Sequence, residues 1–328
     1  MTDRTAVSRT PDACVVCGSN SLVDAGDIAA ADLVHGYQKR FGLDVFEHFA
    51  DTAKLSEVRC RDCDVHFFSP IITGKESFYR ALAGLAWYYM AEKPEFAIAR
   101  QFVKTTDAVL EVGAGRGAFA AYCGNEYVGL EFNPEAAEQA RRSNANVIIE
   151  PLEKHASAHP GLYDVCCAFQ VIEHVADPKQ FVTSMAAATR PGGRVIVSVP
   201  NEAGLPGGTI NDFLNLPPHH VTRWNHRSLG ALATAAGLSL EAIESENVAG
   251  YHLGWYLAAR LCKLLAPHLV ARPGNRVRLG SIDYALWRAL WLLGRSGALV
   301  LQPFLQGGGR LRGRGHTIIA VMRKGEFT

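Results

Sequence analysis

Two C-x-x-C pairs, Cys14 and Cys17 in CVVC and Cys60 and Cys63 in CRDC, offer four thiolates. Each pair makes a tight knuckle, and four sulfurs close a tetrahedral zinc shell with no open position, so the expected site is structural. A second kind of chemistry lies in VLEVGAGRGAFA, where Glu111 precedes Gly113, Gly115 and Gly117. Backbone without side chains lets N–H groups and a helix start approach an anionic ligand group. The same residues satisfy G-x-G-x-x-A, and Glu131 in GLEFNPEA stands where an acid takes ribose hydroxyls. A third lies in QVIEHVADP, where His174 follows Glu173. An imidazole is the usual side chain for removing a hydroxyl proton near neutral pH, and Glu173 can support it. His219 and His220 in PPHHVTRW are candidates for substrate contact or for pinning their loop.

These residues need elements to hold them. From Asp107 the pattern alternates: DAVLEV, a helix through FAAYC, EYVGLEF, PEAAEQARRS, NVIIE, YDVCCAFQV, DPKQFVTSMAAATR and GGRVIVSVP. Apolar strands separated by amphipathic helices predict a parallel sheet covered on both faces, a doubly wound α/β domain. The ligand crevice of such a sheet opens at the carboxyl ends of its strands, where the glycine loop, Glu131 and His174 all fall. Residues 75–104 read as helical, with Pro94 at the start of PEFAIARQFVK. The zone before Pro70 carries strand-like LSEVRC and VHFFSP and is expected to make little core of its own. Near the end, GHTIIAVMRK reads as a closing strand.

Together, EVGAGRG, the acid in GLEFNPEA, YDVCCAFQVIEHVADP, RPGGRVIVSVPN and PPHHVTRWNHRSL resemble the class I S-adenosylmethionine-dependent methyltransferases, especially those with an N-terminal cysteine-pair module. The resemblance runs from about Cys14 to Val248 and resumes at the final strand. It implies a seven-stranded Rossmann-like domain with a small N-terminal zinc ribbon and a helical C-terminal insertion before the last strand. The boundaries are 1–73 for the ribbon, 74–249 for the core, 250–313 for the insertion and 314–328 for the closing strand. It further implies S-adenosylmethionine as cofactor, with Gly113, Gly115 and Gly117 under the methionine portion and Glu111 orienting its amino group. Glu131 would take both ribose hydroxyls, Phe132 and Leu152 would flank the adenine, and Gln170 would lie beside the cofactor. Pro151 stands where many relatives have an acid near the adenine amine. Tyr88 and Tyr89 match an aromatic pair that relatives carry ahead of the first strand. Small-RNA 2′-O-methyltransferases, which resemble this chain at the histidine phrase, arrange Glu-x-x-Glu-His and a later histidine around a divalent ion. Here Gln170 replaces the first acid, a poor exchange on a hard cation, although Glu173, His174 and His219 or His220 would still be the residues to gather such an ion.

Composition bounds the rest. The 328 residues are 48% hydrophobic and 20% charged with formal net charge +1, so bulk electrostatics recommend neither nucleic acid nor membrane. The N-terminal stretch lacks a secretory core and no segment has the length of a membrane span, so a cytoplasmic setting is expected. His66 reads as a strand residue, and Cys123, Cys166, Cys167 and Cys262 as core. From Gly250 to Thr328, twelve Lys or Arg stand against two acids. This basic, Trp-rich insertion suits a lid or dimer surface, or peripheral contact with an anionic membrane. The reading is O-methylation of a small or sugar-like acceptor, nucleotide- or lipid-linked. An RNA methyltransferase, a non-catalytic cofactor-binding regulator and a nicotinamide enzyme are the rivals.

Overall fold

The computed structural model describes residues 12–85, 88–90, 92–124, 126–305, 313 and 315–326. Strands are β1 (Leu22–Ala29), β2 (Lys54–Cys60), β3 (His66–Ser69), β4 (Val109–Val112), β5 (Tyr127–Leu130), β6 (Val147–Ile148), β7 (Tyr163–Phe169), β8 (Thr189–Pro200), β9 (Thr222–Arg223), β10 (Leu238–Ser245) and β11 (Thr317–Lys324). Helices are α1 (Ala30–Phe41), α2 (Glu76–Ala83), α3 (Pro94–Ala99), α4 (Pro134–Arg142), α5 (Leu152–Ala158), α6 (Pro178–Ala188), α7 (His226–Ala235), α8 (Leu253–Leu265) and α9 (Ser281–Leu305).

Seven strands form one sheet in the order β10-β11-β8-β7-β4-β5-β6. The pairs β6–β5, β5–β4, β4–β7 and β7–β8 are parallel, whereas β11 runs antiparallel to both β8 and β10. The doubly wound domain is therefore the expected one, and the helical insertion precedes its reversed strand. Both faces are dry: Val112, Leu110 and Cys166 pack in one buried cluster, while Val109, Val165 and Cys167 pack in another. Alternate side chains of β4 and β7 reach opposite layers, the reason these strands lack a polar face.

A four-stranded sheet, β1-β2-β3-β9, carries the cysteines. The zone before Pro70 makes more core than its size suggests. Leu33, Tyr37, Leu55 and Phe68 join Ile72, Phe78 and Phe213 in a third buried cluster, with material borrowed from later in the chain. The Tyr37 hydroxyl donates to the Phe213 and Leu216 carbonyls at 2.5 and 2.8 Å. The cysteine sheet also shares the main cluster, where Val65 and Phe67 lie with Trp224 and Val199.

Two helical expectations change. Residues 75–104 divide into α2 and the short α3 with a 3-10 turn at Arg100–Phe102, because Gly84 ends the first helix and Pro94 disfavours helical backbone in the residue before it. The segment through FAAYC is a 3-10 turn, Ala118–Tyr122, rather than a helix. Gly124 follows at once, packed so closely that an added Cβ would lie 1.8 Å from the Thr105 carbonyl oxygen, and no room remains for further turns.

In the insertion, α8 and α9 form a hairpin over a fourth cluster containing Ile210, Cys262, Leu269 and Trp287. Arg276, 2% exposed, bonds Glu57 of β2 at 2.7 and 3.0 Å and Glu202 at 2.7 Å. Burial raises the Glu57 carboxyl, but His66 and Arg276 outweigh it and hold the group far below the carboxylate range. The arginines at 310, 312 and 314 counted in the basic stretch lie outside the described residues. Among the described residues, no helix is long and apolar enough to cross a membrane.

Candidate active site and metal centre

The glycine loop leaves the carboxyl end of β4 with Gly113, Gly115 and Gly117 at φ values of 75°, 55° and 72°. This left-handed region is costly for any side chain. A Cβ on Gly113 would lie 2.6 Å from Val171 Cγ2, and one on Gly115 would lie 3.0 Å from the Tyr89 ring. Two features hold the loop to β5: the Gly113 and Ala114 N–H groups donate to the Leu130 carbonyl, and Gly115 N–H donates to Glu131 Oε2 at 2.7 Å. Glu131 Oε1 accepts from Asn133 N–H at 2.8 Å. Its carboxylate is thus fixed, while each oxygen keeps a second lone pair for a ligand hydroxyl. Burial raises its pKa.

The other expected cofactor residues have diverse surroundings. Glu111 is buried, accepts a hydrogen bond from the Tyr127 hydroxyl, and is pushed up to about 8 by burial. Phe132 stands 66% exposed, free to cover a flat ligand, whereas Leu152 is 2% exposed within the main core. Gln170, at φ 59°, points its amide at Glu95, Ser198 and Thr317, each at 3.4 Å. A non-glycine residue in that region is a mark of functional sites.

After Gln170 comes a 3-10 turn, Ile172–His174. Against it lies the Pro217–Val221 segment, because Val221 N–H donates to the Glu173 carbonyl at 2.8 Å and Phe68 N–H donates to the Val221 carbonyl at 3.1 Å. The cysteine-bearing sheet therefore reaches the histidine turn through β3 and β9. Trp224, fully buried, donates from Nε1 to Thr222 Oγ1 at 2.9 Å and anchors this junction.

Three histidines meet there. Ring centroids lie 4.4 Å apart for His174 and His219, 4.7 Å for His174 and His220, and 4.5 Å for His219 and His220. His174 Nδ1–H donates to the His219 carbonyl at 2.7 Å, His219 Nδ1–H to the Leu214 carbonyl at 2.7 Å, and His220 Nδ1–H to Asn215 Oδ1 at 2.9 Å. Each bond leaves Nε2 as the lone-pair nitrogen. Burial lowers His174 to about 4 and holds His219 and His220 well below their ordinary range, so all three are neutral at pH 7. Glu173 Oε1 lies 3.9 Å from Nε2 of both His174 and His220. Burial pushes Glu173 up to about 8, and neither oxygen has a hydrogen-bond partner.

The resemblance at the histidine phrase grouped Glu173, His174 and His219 or His220; the fold brings all three histidines together beside Glu173. Two further groups were not singled out. Tyr79 packs edge-on to His174 at 5.8 Å. A polar row runs from Glu95 through Gln170, Thr317 and His316 to Glu246 and His252, with His316 Nδ1 3.2 Å from Thr317 Oγ1 and His316 N–H donating to Glu246 at 2.6 Å. Its members are scattered from residue 95 to 317, so no local motif reveals it.

At the other end of the small sheet, Cys14 Sγ lies 3.5 Å from Cys63 Sγ, and Cys17 Sγ lies 3.6 Å from Cys60 Sγ. All four sulfurs fall within 4.8 Å of one another. A tetrahedral zinc with Zn–S of about 2.3 Å needs sulfurs ~3.8 Å apart, and this cluster fits it. The Cys63 thiol's hydrogen bond holds Cys14 below the usual thiol range. Asp64 closes the second knuckle with φ 64°, and Asn225, the N-cap of α7, holds it through Asp64 Oδ2 at 2.9 Å. His66 faces Glu57 at 2.9 Å instead of joining the sulfurs, and Cys166, Cys167 and Cys262 are buried core.

Sheet order, glycine loop and strand-end acid give the arrangement expected of an S-adenosylmethionine-dependent methyltransferase domain. Residues 84–243 match the family model described as a methyltransferase domain. Curated relatives include ubiquinone biosynthesis O-methyltransferases from Pectobacterium carotovorum, 39% identical over 102 residues, and from Klebsiella pneumoniae, 34% identical over 105. These matches cover 28% and 29% of this chain and 43% of each relative, so the chain spans less than half of their length. A solved S-adenosylmethionine-dependent methyltransferase from Archaeoglobus fulgidus aligns with TM-score 0.43 and 15% identity, over 71% of this chain and 95% of its own.

Proposed function

We propose that the protein moves a methyl group from S-adenosylmethionine to an oxygen of a small, hydroxyl-rich acceptor. The observation that carries this reading is the neutral, lone-pair Nε2 of His174 on the same sheet edge as the glycine loop. When bound, S-adenosylmethionine supplies an electrophilic methyl on a sulfonium. Gly113, Gly115 and Gly117 shape the tight turn beside which its amino-acid end would lie, Glu131 has lone pairs for ribose hydroxyls, and Phe132 offers an exposed face for the adenine.

His174 takes the acceptor hydroxyl's proton on Nε2, and its Nδ1–H bond to the His219 carbonyl sets the ring's orientation. Glu173, its Oε1 lying 3.9 Å from His174 Nε2, is placed to support the imidazolium so formed once it gives up its own proton. Relatives named for O-methylation in ubiquinone biosynthesis support oxygen as the methylated atom and a small molecule as the acceptor. A sugar carried on a nucleotide or a lipid is our preferred acceptor, and the zinc of the cysteine module is structural.

The insertion favours the lipid-linked form. On α9, Ile282, Leu286, Leu293 and Val300 recur at helical spacing and are 39–81% exposed, with Leu292 and Leu299 beside them. Arg288 and Arg295 border this face, and Leu264 and Leu265 of α8 are exposed as well. An apolar stripe edged by arginines is the composition of a surface that lies on an anionic bilayer. Incubating the protein with labelled S-adenosylmethionine and a panel of nucleotide-linked and lipid-linked sugars tests the acceptor class. Label on a hydroxyl oxygen supports the reading; label only on RNA, or on carbon, overturns it.

A further inference from the structure

We infer that the groove between α8 and α9 is a lipid site, which takes an acyl chain of an anionic phospholipid from the bilayer and holds its phosphate at Arg260 and Lys263. This seat for a single lipid rests on the bilayer-facing reading of the insertion and is independent of which acceptor is methylated.

The hairpin has one surface turned to the protein, where it covers Ile210, Leu269 and Trp287. Another holds a groove of about 640 Å³ between Leu257, Leu261 and Leu264 of α8 and Leu293, Gly294 and Gly297 of α9. Its volume falls within the ~300–1,000 Å³ of ligand sites. Two glycines set its shape. A Cβ on Gly294 would lie 2.4 Å from the Ala258 nitrogen, so the helices touch backbone to backbone there and leave a valley between their leucines. At Gly297 the nearest atom to an added Cβ is Leu257 Cδ1 at 3.8 Å, so the floor is open.

The apolar wall continues beyond the groove. Leu286, Leu293 and Val300 recur every seven residues along α9 and are all exposed, a run of roughly 21 Å at helical rise. One leaflet of bilayer hydrocarbon is about 15 Å thick, so the run is long enough for an extended acyl chain.

Charge selects the occupant. Arg260 and Lys263 also line the groove, both exposed, and among the described residues neither has an ion pair. The one acid of the two helices, Asp283, faces His268 at 3.5 Å and Arg278 at 3.6 Å instead. An apolar protein segment leaves both cations unmatched, and a second copy of this chain laid on the same face by two-fold symmetry brings one basic patch onto another. An anionic phospholipid matches both parts, hydrocarbon against the leucines and phosphate at the cationic heads. Arginine and lysine stems tolerate an apolar wall while their charged ends stay at headgroup level.

The test uses the full chain and short-chain phosphatidylglycerol, with short-chain phosphatidylcholine and inorganic phosphate as comparators, and flotation with phosphatidylcholine vesicles containing or lacking phosphatidylglycerol. The wild type should bind one phosphatidylglycerol per chain, at least about tenfold tighter than either comparator, and float only with the anionic vesicles. Arg260→Ala combined with Lys263→Ala should weaken that binding roughly tenfold or more. Gly297→Leu fills the groove, keeps every charge and adds apolar surface. It should abolish the one-to-one binding, whereas adsorption on a featureless apolar face survives it. Leucine is the better helix former, so this variant is expected to fold. S-adenosylhomocysteine affinity, measured on every variant, reports an intact cofactor cradle, so failure of the lipid seat is separable from failure of the methyltransferase reading. Flotation that persists with wild-type lipid affinity in Gly297→Leu, equal affinity for phosphatidylcholine or for inorganic phosphate, or self-association in place of lipid binding overturns the proposal.

Discussion

The Tyr88 hydroxyl lies 3.2 Å from His219 Nε2, and its neighbour Tyr89 packs over the Gly115 backbone. Two adjacent aromatic residues therefore bridge the histidine cluster and the glycine loop, the two parts that methyl transfer must bring together. Arg116 stacks 4.9 Å above the Tyr89 ring and braces it from the loop side. Replacing Tyr89 with Ala should weaken S-adenosylhomocysteine binding several-fold, as measured by calorimetry, while Tyr88→Phe should cost about 0.5–1.5 kcal/mol of stability, the worth of one hydrogen bond.

The loop itself tolerates no side chain at its first glycine. Gly113→Ala adds a Cβ 2.6 Å from Val171 Cγ2 at a φ of 75°. Left-handed backbone costs an ordinary residue about 1–2 kcal/mol, and the overlap adds to it. S-adenosylhomocysteine affinity should fall tenfold or more.

His174→Ala should lower turnover by about tenfold or more while nucleoside affinity stays nearly constant. Because burial holds His174 near 4, its neutral form persists into acid. The acidic limb of kcat should therefore lie well below the 6.5 of a free imidazole. A limb at 6.5 with an active His174→Ala protein contradicts the assignment.

Glu111 gives a pH signature in stability. Its folded pKa of about 8 exceeds the unfolded 4.5, so the folded state binds more protons between those values. Its contribution is fully present below pH 4.5 and is lost as pH rises through 8. Urea denaturation of Glu111→Gln without cofactor should show a flatter dependence between pH 5 and 8 than the wild type.

Arg276 ties the insertion to the cysteine-bearing sheet. Removing it in Arg276→Ala takes a shared buried partner from Glu57 and Glu202, which keep only the His66 and Arg223 side chains. A loss of about 3–5 kcal/mol is expected by denaturant titration, as for other broken buried pairs.

Much of this arrangement was legible in the sequence, and the reasons are local. The glycines, Glu131 and the apolar strands around them follow rules that act over a few residues, and CVVC with CRDC states its ligands outright. What escaped depends on the whole fold. The turn after Gly117 is too short for a helix because Gly124 is wedged against Thr105, a contact no periodicity encodes. The small N-terminal zone has a real core only because Phe213 and Leu216 arrive from far along the chain. Likewise, His174 and the pair at 219 and 220 meet because Val221 bridges Glu173 and Phe68, and the spacing of the histidines says nothing of that.

The cradle proposed for an S-adenosyl nucleoside lies between Gly113 and Glu131. Side-by-side calorimetric titration of the purified full chain with S-adenosylhomocysteine and with NAD tests it directly. Saturable binding of the nucleoside, lost in Glu131→Ala, and no heat from NAD are expected. Binding of NAD with no response to S-adenosylhomocysteine contradicts it.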